Sequence, residues 1–491
     1  MFYPNLEVFR NKARQGNLVP VSAELIADLQ TPLSAFLNFA GDEHAFLLES
    51  AETGRGIGRY SFLGCNPILL FRSRGNEVKI TRSGKTETLR AANPLHILQG
   101  LLKGYKPVPD ETLPPFVGGA VGYIGYDYVR FLEKLPELKL DELNLPDLYF
   151  MLVDSLVIFD RLTSKIKVVV NSLVEGDPEQ SYRRAAARIE NILGQLIGAP
   201  SSVYGQPAGK RNSSSLTSET SPEDFEEAVR KAQEHIRSGD IFQVVLSRRF
   251  QSDISCPPLD IYRALRIINP SPYMFYLKFD DLYLIGSSPE IMVQAVGDRV
   301  RVRPIAGTRS RGASLLEDAR LEEELKNDPK EKAEHLMLVD LGRNDLGRVA
   351  VPGSVRVSEF MSVEKYSHVM HLVSNVDGKL DPSQDAFSVL AATFPAGTVT
   401  GAPKIRAMEI IEELEPVRRG PYAGAVGYFS FDGNLDTCIT IRTLIVKDKT
   451  AFIQAGAGIV ADSIPERENQ ECLNKAHALF KAVEMAQGGL K

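Results

Sequence analysis

The chain has 491 residues, 43% apolar and 24% charged, with a formal net charge of -6. Those proportions are ordinary for a globular protein, and with both signs of charge spread along the sequence they exclude a polybasic nucleic-acid or membrane-surface binder. The opening MFYPNLEVFRNK lacks the apolar stretch of a secretion signal, and runs such as SLVIF or KVVV are far too short to cross a bilayer, so a cytoplasmic location is expected.

Length alone suggests roughly two to four domains. In chain order, AFLLES, RYSFLG, EVKITRS, DSLVIFD and KIKVVVNS read as strands, followed by one helix near Glu179 to Ile197. From Gly198 to Thr220 Gly, Pro, Ser and Thr replace any apolar periodicity, which marks a linker or long loop. The chain therefore divides into 1–197, the connector 198–220, and 221–491. Ser221-Pro222-Glu223-Asp224 then supplies a cap, a first-turn proline and acids for a helix whose stripe is Phe225, Ala228, Val229, Ala232 and Ile236, ending at Gly239-Asp240. IFQVVLSRRF follows as a strand with Gln243, Val245, Ser247 and Arg249 on one face. Further strand runs (PYMFYLKF, LYLIGSS, VRVRPIAG, YAGAVGYFS, TCITIRTLIV, TAFIQAGAG) alternate with a few helices. The predicted class is α+β: large antiparallel sheets packed as a sandwich and covered by helices. Cys65, Cys256, Cys438 and Cys472 are too scattered for a zinc or redox motif.

Two predicted helices each carry an acidic pair at i, i+3: Glu331 with Glu334, and Glu468 with Glu471. Each pair shares a face and would suit a hard cation if the two faces met, although on spacing alone most such pairs are solvated helix surface. In FPAGTVTGAPK, Gly397 and Gly401 precede a helix opening at Pro403; this is either an anion-holding turn or a plain helix entry, and it is not a Walker loop because Ala402 and Pro403 intervene before Lys404. IQAGAGIVAD fits G-x-G-x-x-A superficially, but Pro465 and the absence of a βαβ unit rule out a dinucleotide site; amides at Gly456 to Gly458 would bind a carboxylate, or mark a bulge. Arg442, set in apolar ITIRTLIV, needs an anion, either a substrate carboxylate or an internal acid. His371 is a candidate proton carrier or a satisfied core histidine, and Glu290 after GSSP is a candidate general acid or a surface turn.

Taken together, IFQVVLSRRF, NPSPYMFYL, IGSSPE, RPIAGTRSRG, EHLMLVDLGRND, VMHLVS, FPAGTVTGAPK, PYAGAVGY, IRT and QAGAGIVADSIPERENQE resemble, in order, the chorismate-utilising enzymes, most closely the anthranilate synthase component I family. The match covers nearly all of 221–485. TPLSAFL, FLLES, GRYSFLG and GGAVGYIGYD resemble more sparsely that family's regulatory half. The resemblance implies a lyase that adds ammonia to chorismate and expels pyruvate. It implies magnesium held by Glu334 and Glu471, with Glu331 and Glu468 in the same acidic shell. Chorismate would lie against Gly307, Thr308, Tyr422, Arg442, Gly456, Ala457 and Gly458. Glu290 would act as the acid for the departing hydroxyl, and His371 and Thr398 match residues of the second step.

Isochorismate and salicylate synthases of this family carry a lysine before VVL where this chain has Gln243, which cannot deprotonate water. Aminodeoxychorismate synthases typically carry one where this chain has Ala306, which offers no lone pair. Both substitutions leave ammonia as nucleophile; an aminodeoxychorismate synthase and a silent tryptophan-binding regulatory subunit are the alternatives. Nothing in the sequence resembles a glutamine amidotransferase, so the resemblance implies a separate glutaminase subunit, in a heterotetramer of two large and two small chains. It also implies tryptophan inhibition through a pocket at Glu49, Ser50, Asn269, Pro272, Tyr273, Met274 and Gly286. The absence of Trp beside 16 Tyr and 23 Phe suits an enzyme needed when tryptophan is scarce.

Overall fold

The computed structural model describes residues 1–50, 58–197, 215–365 and 369–490. Most of the 198–220 connector lies outside the described residues; at its end Thr217 bridges to Gln251. The predicted class holds. Among the described residues the strands form an 11-stranded and a 12-stranded sheet with antiparallel pairing throughout. Each sheet is built from both parts of the chain. In the first, His44–Glu49 pairs with Tyr273–Phe279, Leu48 opposite Phe275. In the second, Gly119–Ile124 pairs with Ala425–Ser430, Gly122 opposite Gly427.

Period-two alternation explains why the sheets stack. Along His44–Glu49, Phe46 points between the sheets while Ala45 and Leu47 face a helix-covered outer layer. Along Leu148–Val153, Tyr149, Met151 and Val153 point inward, and Leu148, Phe150 and Leu152 outward. Both faces of these central strands are thus buried, giving a helix–sheet–sheet–helix arrangement, while an outer strand such as Lys85–Arg90 is mostly exposed. Phe9, Ile189, Ile261 and Leu479 belong to one outer layer, and Leu98, Val339 and Leu390 to the other.

The helix Pro222–Arg237 starts as its sequence predicts: Ser221 accepts from the Asp224 amide, and Phe225, Val229 and Ala232 are buried. Two expected strands divide. VRVRPIAG becomes Arg299–Val302 and Ile305–Ser310, both pairing with Val369–Lys379, because Pro304 has no amide to donate. TCITIRTLIV becomes Leu435–Ile439 in one sheet and Thr443–Lys447 in the other. Arg442, expected inside a strand, instead sits in the crossing between sheets at φ 51°. No helix of the described residues is long and apolar enough to cross a membrane.

Candidate active site

Two neighbouring crossings between the sheets carry key side chains. One runs from Leu282–Ser288 to Ile291–Val296 and holds Glu290; the other runs from Leu435–Ile439 to Thr443–Lys447 and holds Arg442. The backbones are tied together, the Ser287 amide donating to the Arg442 carbonyl at 3.0 Å and the Ile439 amide to that of Glu290 at 3.0 Å. Burial lowers the Arg442 pKa, while Glu471 and Tyr422 oppose that shift. The Arg442 guanidinium forms no ion pair or side-chain hydrogen bond with the described residues. A partly buried cation so placed calls for an anion.

The acidic pairs lie on the helices Pro329–Gly347 and Pro465–Gln487. Burial raises the Glu334 pKa; a hydrogen bond from Gln243 Nε2 at 3.2 Å opposes the rise, and the charges of Glu331 and Glu471 add to it. Burial also raises the Glu468 pKa, again with a contribution from Glu471. The two helices thus bring their acids into one field. No three of these carboxylates approach within 4.8 Å of one another. Glu331 is also engaged by Arg309, whose Nη1 donates to it at 2.8 Å and which binds Asp328 as well. Glu471 pairs with Lys475 at 2.6 Å, and Lys475 donates to the Gly456 carbonyl at 2.8 Å, linking the acidic helix to the glycine strand.

Gly456, Ala457 and Gly458 lie in the strand Thr450–Ile459, in continuous register with Ser247, Leu246 and Val245, so no bulge is present. A Cβ on Gly456 would come within 2.7 Å of the Tyr422 hydroxyl, and one on Gly458 within 2.7 Å of Gln243 Nε2. The missing side chains make room for two polar groups. Tyr422 is buried, and Arg419, paired with Glu415, lies over its ring at 5.6 Å.

Gly307 adopts φ +70°, and its carbonyl meets His371 Nδ1 at 3.0 Å, as does Thr308 Oγ1. A carbonyl only accepts, so Nδ1 carries the proton and Nε2 the lone pair. Burial lowers the His371 pKa, and the Arg442 charge lowers it further. The imidazole is neutral near pH 7.

Burial pushes the Glu290 carboxyl up to about 8, against a weaker opposing effect of the nearby Thr398 hydroxyl. Thr398 Oγ1 itself is buried without a partner of good hydrogen-bond geometry among the described residues. Both line a cavity of about 50 Å³ with Gly397, Leu341 and Asp345. Gly401 and Ala402 pair with Val244 and Gln243, and the helix begins only at Lys404, whose ammonium binds Asp345 at 2.8 Å; the segment is a helix entry braced against the strand.

The expected inhibitor residues gather around another part of the first sheet. Glu49 is buried, accepts from Tyr262 at 2.7 Å, and contacts Arg266 at 3.1 Å and Arg161 at 3.5 Å. Met274 lies opposite both Glu49 and Ser287, next to Tyr273, whose hydroxyl binds Asp436 at 2.8 Å. Asn269 Nδ2 donates to Ser287 at 3.3 Å, Pro272 precedes this strand, and the Phe275 ring occupies the space a side chain at Gly286 would need. Ser50 Oγ is buried without a hydrogen-bond partner among the described residues.

Sequence reasoning missed Arg309, Lys475 and the Asp345–Lys404 pair. Only Lys475 left a signal, four residues after Glu471, the favoured helical acid–base spacing.

A model of chorismate binding enzymes matches residues 43–481. The chain is 50% identical to an anthranilate synthase component 1 from Acetivibrio thermocellus, covering 99% of each. It is 38% identical to the solved anthranilate synthase component I of Streptococcus pneumoniae, with TM-score 0.78, covering 93% of this chain and 98% of that one. A menaquinone-specific isochorismate synthase from Escherichia coli shares the fold at 20% identity and TM-score 0.70, covering 97% and 98%.

Proposed function

Because this chain belongs to the chorismate binding enzyme family, we propose that it is a magnesium-dependent anthranilate synthase large subunit, converting chorismate and ammonia to anthranilate, pyruvate and water. The observation that carries this is the opposition of Arg442, unpaired among the described residues, to acids from two helices, with Glu471 acting on both Arg442 and Glu334. A dicarboxylate can neutralise Arg442 at one end, but at the other it needs a cation between itself and the acids.

The donor set fits that cation: Glu334 is half-buried among like charges, a setting a divalent ion relieves. Glu334 and Glu471 would hold magnesium, with Glu331 and Glu468 nearby, and the bound ion would anchor the ring carboxylate and draw electrons from the conjugated ring. Arg442 binds the enolpyruvyl carboxylate. Glu290, protonated at neutral pH, gives its proton to the C4 hydroxyl, which leaves as water while ammonia attacks C2. His371 Nε2 carries a proton in the second step, when the C2–H and enolpyruvyl C–O bonds break and pyruvate departs. Thr308, Tyr422 and the Gly456–Gly458 strand shape the floor.

In this reading ammonia comes from a separate glutaminase chain, in a cytoplasmic heterotetramer. Tryptophan binds between Glu49–Ser50 and the 269–286 segment, where a coupling of about 1–3 kcal/mol suffices for control. The purified chain with chorismate, magnesium and ammonium chloride should yield anthranilate by fluorescence and none from glutamine. A 4-amino product, or no chorismate consumption, overturns the assignment; glutamine-driven turnover by the lone chain overturns the separate partner. Equal rates with and without millimolar tryptophan remove the inhibitory pocket.

A further inference from the structure

At the opposite end of the strand that carries Glu49, a second group of metal-binding side chains comes together. Glu43 and His44 open His44–Glu49, and Asp280 forms the tip of the hairpin between Tyr273–Phe279 and Leu282–Ser288. The hairpin folds over them because Phe279 lies opposite His44 and the Asp280 amide donates to the Glu43 carbonyl at 3.0 Å. One ligand atom from each of Glu43, His44 and Asp280 lies within 4.8 Å of the others, the sole such group among the described residues.

His44 distinguishes this cluster from an exposed acidic patch. Its side chain is 12% exposed, and its buried Nε2 lies 3.3 Å from Asp280 Oδ1, an ion-pair distance, without a well-formed hydrogen bond among the described residues. A ring nitrogen facing carboxylates without a well-formed hydrogen bond is an arrangement that a cation shared between them would satisfy. The buried Tyr149 lies beside Asp280, and its ring stacks on Phe279 at 4.1 Å, bracing the hairpin.

We propose that Glu43, His44 and Asp280 form a divalent-cation site separate from the active site, selective for a borderline ion such as zinc over magnesium. One imidazole with two carboxylates is a donor set that zinc, cobalt or nickel prefers, whereas magnesium favours oxygen alone. The ion clamps the first sheet where the early and late parts of the chain meet, fastening His44 to the 280 hairpin.

The test uses the full chain, stripped with a chelator and held in millimolar magnesium. Cobalt is titrated as a visible-absorption probe and then displaced by zinc. The wild type should bind one cobalt per chain with ligand-field bands that magnesium does not bleach, and Glu334→Gln should bind it equally. Asp280→Asn, which keeps a residue tolerant of φ 54°, and His44→Gln should each weaken binding by about tenfold or more while chorismate turnover stays unchanged. Equal cobalt binding by wild type, Asp280→Asn and His44→Gln overturns the site, as does loss of the bands in Glu334→Gln or their absence in the wild type. The first two outcomes leave the chorismate reading standing.

Discussion

Gly458 leaves room for the side-chain amide of Gln243, which would lie 2.7 Å from a Cβ there and which donates to Glu334 at 3.2 Å. A glycine on one strand thus sets the position of an acid on a distant helix. Gly458→Ala should displace the amide and free Glu334 to move. The expected result is about a tenfold rise in the magnesium concentration needed for half-maximal rate, with the melting temperature changed little. An unchanged metal requirement would remove Gln243 from the design.

Glu334→Gln and Glu471→Gln remove one charge each from the shared acidic field. Each should lower kcat/KM by roughly 100-fold or more at fixed magnesium. Circular dichroism should show both variants folded. Removing a like charge relieves repulsion, so Glu334→Gln should melt no lower than the parent.

The pH dependence follows from Glu290. An unfolded chain holds this carboxyl near 4.5 and the folded chain near 8, so between those values the folded state binds more protons. The group's favourable share of stability is complete below about 4.5, declines as pH rises, and is gone above about 8. Denaturant titrations from pH 5 to 9 should show that decline flattened in Glu290→Gln. Turnover should fall through the same upper limit as the acid loses its proton, and Glu290→Gln should cost roughly 10²–10⁴-fold in kcat.

Arg442 supports no internal ion pair among the described residues and sits at φ 51°, where glycine is at ease. Arg442→Gly should therefore fold as well as the parent while losing about 2–3 kcal/mol of chorismate binding, a rise in KM of tens to a hundredfold. A large loss of stability would mean that the guanidinium is structural.

Both acidic helices were legible because i, i+3 spacing is a local property, as was the period-two strand from Gln243 onward. Their convergence was implied by the family resemblance and was not legible from spacing. Nothing local says that Glu334 will feel Glu471, since that depends on sheet registers joining residues far apart in sequence. ITIRTLIV misled for a physical reason: its apolar run continues through the crossing, so the turn at Arg442 leaves no gap in hydrophobicity, and arginine rather than glycine occupies the left-handed position. The shared sheets were equally hidden, because pairing between His44–Glu49 and Tyr273–Phe279 has no signature in either segment alone.

Those shared sheets make the molecule hard to divide. Severing the backbone between the helix Pro178–Ile197 and Leu216 would leave each fragment with two raw hydrogen-bonding edges, at His44–Glu49 and Gly119–Ile124 on one and at Tyr273–Phe279 and Ala425–Ser430 on the other. Produced separately the fragments should clump; produced together they should find one another and melt in a single transition.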